Sequence, residues 1–180
     1  MAMSDRELLE QAKGGDLDAF AEFVRAFERR IRTVLYRLLD DVRDVDEAVQ
    51  DTFVQAWRNL ERFRGDAAPN TWLYRIAVNE ALQRRRRKAL PTSELQETTV
   101  SGGEDAYVAA DARAFLIERL RALPIEYRTA VVLRDVEGLS NEEVSRVLDI
   151  SLAAAKSRIH RGRMQLREEL EHWQGGEASD

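Results

Sequence analysis

The sequence predicts an all-α protein of two small helical domains joined by a flexible linker. Apolar residues recur at steps of three and four along most of the chain, and no alternating run marks a strand. The pattern lapses once, from Ala89 to about Ala110, where Pro91, Ser93, Thr98, Thr99, Ser101, Gly102 and Gly103 leave few bulky side chains. Such a stretch cannot pack a core and reads as a tether of roughly twenty residues. The domains are therefore set at residues 4–88 and 111–173, with the linker at 89–110.

Each element follows from local signals. Ser4–Lys13 predicts a short capped helix stopped by Gly14–Gly15. Leu17–Leu39 follows, with Phe20, Phe23, Val24, Phe27, Ile31, Val34, Leu35 and Leu38 on its apolar side. Asp44–Phe63 is a third helix, closed by Gly65. It is expected to bury Val45, Val49, Phe53, Ala56, Trp57 and Leu60 and to leave Asp46, Glu47, Gln50, Asp51, Gln55 and Arg58 outside. Thr71–Lys88 is a fourth, preceded by Pro69 and capped by Asn70 or Thr71. Beyond the tether, helical pattern resumes at Asp111–Leu123, breaks at Pro124 and runs on through Val136.

The last two helices form a unit. Ser140 and Glu143 make the capping box of Asn141–Leu148, which carries the apolar Val144, Val147 and Leu148. Ser151 is the N-cap of a helix whose inward stripe is Leu152, Ala155, Ile159, Gly162, Leu166 and Leu170. Joined through Asp149–Ser151, the pair is a helix-turn-helix candidate. Its outward face presents Ala153, Lys156, Ser157, His160, Arg161 and Met164, with Arg158, Arg163 and Arg167 on the flanks. A cationic, hydrogen-bonding second helix of this kind suits the major groove of duplex DNA.

Composition narrows the function. The 180 residues are 44% hydrophobic and 34% charged, with net charge −5, which describes a soluble chain and argues against indiscriminate coating of nucleic acid. Charge is instead segregated: Arg84–Lys88 is a basic run, while acids crowd Asp40–Asp51 and Glu94–Asp105. There is no cysteine, so disulfides and thiolate metal sites are excluded, as fits a reducing cytoplasm. No apolar run approaches the ~18 residues of a membrane span, and residues 1–7 lack a signal-peptide core, so a cytoplasmic protein is expected. With only His160 and His172, and no phosphate-cradling glycine loop, no catalytic residue, metal or cofactor is expected.

Two further surfaces stand out. On the third helix Glu47, Gln50, Asp51, Val54 and Arg58 share a face, and an apolar Val54 among carboxylates points to a protein-binding patch. The turn Arg64–Asn70 and the helix after it combine Trp72, Tyr74, Arg75 and Asn79 with the basic run. Trp72, Leu73, Ile76, Ala77 and Leu82 are core candidates there, and Tyr74, Arg75 and Asn79 lie elsewhere on the wheel. Single-stranded nucleic acid is bound by such mixtures of cations, aromatics and polar side chains.

These residues carry a family resemblance. Asp46–Trp57, Phe63–Gly65 and Thr71–Asn79 resemble region 2 of the extracytoplasmic-function group of bacterial RNA polymerase sigma factors, in the sigma-70 family. Leu123–Pro124, Tyr127–Arg128, Leu133–Ser140, Glu143–Val144 and Lys156–Arg161 resemble region 4. The resemblance implies that Asp46, Glu47, Gln50, Asp51 and Val54 bind core polymerase. It implies that Gly65, Asp66, Ala67, Ala68, Pro69 and Asn70 hold a flipped base of the −10 element, with Trp72, Tyr74, Arg75, Asn79, Arg84 and Arg85 beside the opened strand. It implies that Lys156, Ser157, Arg158, His160 and Arg161 read or anchor the −35 element, that the linker threads the polymerase, and that an anti-sigma factor holds the protein.

Three departures bear on promoter sequence rather than on class. Ala153–Ala155 stands where the family has Gly-Thr-Val, Asp149 replaces a turn glycine, and Pro69 stands where many members carry an aromatic. Opening about ten base-pair steps costs on the order of 14 kcal/mol. Capturing about three bases returns ~3–9 kcal/mol, so core polymerase is the required partner alongside promoter DNA. The alternative is a dimeric helix-turn-helix regulator that acts without polymerase on a palindromic site. That reading leaves the acidic third helix and the basic fourth unexplained.

Overall fold

The computed structural model describes residues 3–89 and 107–176, and these fold into two compact helical units. The first contains α1 (Asp5–Lys13), α2 (Leu17–Leu38), α3 (Val42–Arg58), a 3-10 turn at Leu60–Arg62 and α4 (Pro69–Ala89). The second is built around α5 (Tyr107–Ala122), α6 (Ile125–Val131), a π turn at Val132–Val136, α7 (Asn141–Leu148) and α8 (Leu152–Gly176). The linker expected at 89–110 lies outside the described residues between 90 and 106. At its two ends the helices reach further than expected, α4 to Ala89 and α5 back to Tyr107.

Short-range caps set the helix starts. Ser4 accepts from the Glu7 amide at 3.3 Å while the Ser4 amide donates to the Glu7 carboxylate at 2.7 Å, so both arms of a capping box are made. Asp16 accepts from the amides of Asp18 and Ala19 at the head of α2. Asp41 accepts from the Arg43 amide at 2.8 Å, which starts α3 two residues before the expected Asp44. Asn59 ends α3 and the chain tightens into the 3-10 turn, where one continuous helix to Phe63 was expected.

The first core is aromatic and aliphatic: Phe23, Phe27, Ile31, Val34, Leu35 and Leu38 of α2 meet Val45, Ala48 and Val49 of α3 and Leu73, Tyr74 and Val78 of α4. α1 is seated by Leu8, Leu9 and Ala12. In the second unit Leu120, Leu123 and Val131 pack with Leu166, and Val132, Leu133, Val144, Ala155 and Ile159 are also buried. The buried Arg128 guanidinium donates to the Arg121 and Leu123 carbonyls and so satisfies the end of α5.

Candidate protein and nucleic-acid interfaces

The helix-turn-helix is built as its sequence predicts. The Ser140 amide donates to Glu143 at 2.8 Å and the Glu143 amide to Ser140 Oγ at 3.1 Å, which starts α7. The Ala154 amide donates to Ser151 Oγ at 3.1 Å, which starts α8. Between them the Ile150 amide reaches the Ser145 carbonyl at 3.0 Å and the Asp149 amide the Arg146 carbonyl at 3.4 Å, the two bonds of a Schellman ending. Asp149 sits at its left-handed position with φ 54°. A Cβ costs free energy in that conformation. Asp149→Gly is expected to raise stability by about 1 kcal/mol and Asp149→Val to lower it, both read from denaturant midpoints.

On α8, Ala155, Ile159 and Gly162 face inward, whereas Lys156, Ser157, His160 and Arg161 are exposed and Arg158 is half-buried. Two of the cations have fixed aim. Arg163 clasps Asp135 with two hydrogen bonds, and Arg161 donates to the Tyr127 hydroxyl at 3.4 Å, which raises its pKa further.

In the first unit the acidic and basic runs, read apart in the sequence, meet. Arg84 donates to Glu47 at 2.9 Å and to Asp51, with Glu80 at 3.8 Å one turn back. Arg85 reaches Asp40 at 2.6 Å, and Lys88 pairs with Asp44 at 2.5 Å and Asp41 at 3.5 Å. For Arg84, burial works against the charge, yet the hydrogen bonds to Glu47 and Asp51 outweigh it and its pKa is raised. The Lys88 pKa is raised chiefly by Asp44, and the Asp41 pKa is lowered chiefly by the Arg43 amide.

Expected beside DNA, the Arg84 side chain is instead 13% exposed and committed to α3. It props Glu47 and Asp51, which remain 66% and 49% exposed on the outer face with Gln50 and Val54. Exposed partners weaken each pair to about 1 kcal/mol or less. Losing all three together with the packed stem should make Arg84→Ala cost about 2 kcal/mol. An Arg84/Asp51 double-mutant cycle in full-chain unfolding measures the coupling, and additive effects would contradict the clamp.

Tyr74 requires a second correction. Expected off the core face, it is 1% exposed, because α4 is covered by α1, α2 and α3 together rather than along one stripe. Trp72 is half-buried, its ring 5.2 Å from that of Phe63, while Arg75 and Asn79 are exposed. The turn before α4 stays at the surface: Asp66 and Ala68 are exposed, and Gly65, Ala67, Pro69 and Asn70 half-buried. Gly65 adopts φ 77°, and the Asn70 side chain accepts from the Thr71 amide at 2.8 Å.

Trp57 is the third correction. It is 38% exposed, not buried, and its ring meets Phe20 edge-on at 4.9 Å. With Leu17, Phe20, Val24, Val49, Phe53 and Val54 it lines an apolar groove of about 600 Å³ between α2 and α3. Asp46 and Gln50 lie along it, and Arg32, bonded to Asp46, stands at its side. Sequence reading missed the groove because Leu17 lay at a helix start, and Phe20, Val24 and Trp57 counted as core. The available signal was the excess width of the apolar stripe on α2. Among the described residues no helix is long and apolar enough to cross a membrane.

Comparison with known proteins gives two family matches: sigma-70 region 2 over residues 23–90 and sigma-70 region 4 over residues 116–166. The ECF RNA polymerase sigma factor SigW of Bacillus subtilis is 33% identical, covering 94% of this chain and 98% of its own. The ECF RNA polymerase sigma-E factor of Escherichia coli K12 is also 33% identical, covering 89% and 91%. Among solved structures, CnrH in complex with the cytosolic domain of CnrY is 30% identical with TM-score 0.74, covering 93% of this chain and 97% of its own. The sigma factor RpoE from Bartonella quintana, solved with the anti-sigma factor NepR, shares the fold at 23% identity and TM-score 0.73, covering 86% and 98%.

Proposed function

The chain belongs to the extracytoplasmic-function group of the sigma-70 family and is an alternative sigma factor, a non-enzymatic director of promoter-specific transcription; from that premise we propose how its surfaces divide the work. The outer face of α3, with Asp46, Glu47, Gln50, Asp51 and Val54, docks on core RNA polymerase, and Arg84 presents two of its carboxylates. The turn Gly65–Asn70 takes a base of the −10 element, with Arg75 and Asn79 and the edge of Trp72 beside the separated strand. Lys156, Ser157, Arg158, His160 and Arg161 of α8 enter the major groove at the −35 element.

The observation that carries this reading is the face of α8: four exposed donors stand on one side of a helix whose other side is buried. Domains at 4–88 and 111–173 and a linker at 89–110 complete the division of labour, and the protein works in the cytoplasm. CnrH is solved with the cytosolic domain of a second protein, which supports an anti-sigma factor as a further partner here.

Reconstitution tests the reading. Full-length protein mixed with core polymerase should initiate from a promoter defined by transcript-start mapping, and failure to bind core in a pull-down removes the proposal. Arg161→Ala should weaken −35 binding by about 1–3 kcal/mol and relax preference at one base pair if it contacts a base edge. A uniform loss with a shallower salt dependence assigns it to phosphate. Stable dimerisation on an inverted repeat without polymerase would favour the regulator reading instead.

A further inference from the structure

α1 lies outside the matched region 2, yet its cations hold the backbone on which the candidate −10 turn begins. Lys13 donates from Nζ to the Phe63 carbonyl at 2.5 Å and stands 5.3 Å above the Phe63 ring, with Glu10 at 3.0 Å as its counter-ion. The far side of this contact is α4, since the Phe63 ring packs on Trp72 at 5.2 Å. Two residues on, the Arg6 guanidinium donates to the Gly65 carbonyl at 3.4 Å and occupies the space where a Cβ on Gly65 would fall. Leu8, Leu9 and Ala12 anchor α1 in the core, so the two cations reach the turn from a fixed base.

We propose that Lys13 and Arg6 are positioning residues for −10 recognition, setting the path of Phe63–Gly65 and hence the presentation of Asp66–Asn70 to the flipped base. The inference rests on the reading of that turn as the −10 site. A charge-assisted bond to a carbonyl is stronger than a neutral one, and the cation over the ring adds to it. The bond lengthens a chain of contacts, from α1 through Phe63 to Trp72, across the one segment between α3 and α4 that lacks a long helix of its own. Glycine at position 65 serves both its φ of 77° and the close approach of Arg6.

The experiment uses the full chain with core polymerase. Lys13→Met keeps the stem and removes the charge, while Lys13→Arg restores it. Trypsin cleavage after Arg64 reports opening of the turn, and relative transcription from promoters with single-base changes in the −10 element reports recognition. Lys13→Met should accelerate cleavage about tenfold and reduce −10 discrimination by a similar factor, with affinity for core and −35 binding unchanged. Lys13→Arg should restore both readouts. Unchanged cleavage, or faster cleavage with discrimination intact, overturns the proposal. Asp66→Ala and Asn70→Ala separate the two levels. If they too leave discrimination intact, the −10 reading of the turn has failed. If they abolish it while Lys13→Met does not, the positioning role alone has failed.

Discussion

Gly162→Val is expected to undock α8 from α6 and to cost about 3 kcal/mol or more, enough to unfold much of the second unit. A Cβ at position 162 would lie 2.6 Å from Val131 Cγ2, 3.2 Å from the Tyr127 carbonyl oxygen and 3.3 Å from Tyr127 Cβ. None of the three can step aside. Val131 is buried and β-branched, so its χ1 is fixed by its own helix, and the Tyr127 atoms belong to the backbone or its first carbon. Intrinsic propensity works the other way, since Gly in a helix interior is about 1 kcal/mol less favourable than Ala. Gly162→Ala should therefore be destabilising by less than the full overpacking cost, and valine, with two further methyls and poorer propensity, by much more. Amide exchange in the full chain resolves the effect by region: α6 and α8 should lose protection while α2 to α4 keep theirs. Wild-type protection in α8 of the valine variant would mean that the contact takes the larger side chain without undocking.

Much of this arrangement was legible in the sequence because its causes are local. The capped start of α1, the capping box at Ser140, the N-cap at Ser151 and the inward stripe through Ala155, Ile159 and Gly162 depend on residues three or four apart, and each is found where the spacing put it. The exposed donors on α8 follow from that stripe. Other features depend on which helix comes to lie against which face. Arg84 and Asp51 are 33 positions apart, and each, taken alone, looks like one end of an external surface. Their pairing requires α3 and α4 to be neighbours with a definite rotation, which no periodicity specifies. The same limit applies to Gly162, recognisable as inward-facing but not as a place where a Cβ would strike Val131 and Tyr127 of α6. Conversely, Trp57 lies at the edge of an apolar stripe that α2 covers incompletely, leaving an open groove instead of a closed seam.

Tyr74 shows that limit at its largest energetic scale. Tyr74→Ala is expected to cost about 3–5 kcal/mol of stability, as for removal of a large buried ring. The side chain is 1% exposed on a helix that packs against α1, α2 and α3, so truncation leaves a cavity that straight helices cannot collapse to fill. Tyr74→Phe, which removes only the hydroxyl, should cost about 1 kcal/mol. A ring that stacked on a separated strand would behave oppositely: alanine would spare the fold and weaken strand capture by about 1–3 kcal/mol. Asn79→Ala, exposed on the same helix, supplies the contrast, with stability within about 0.5 kcal/mol of wild type and any loss confined to fork-junction DNA. Denaturant midpoints and fork-junction affinities measured on the three variants place each residue by a pair of numbers. An alanine variant at position 74 with normal stability and impaired strand binding would return the tyrosine to the DNA surface and displace the enclosed ring from the centre of the first core.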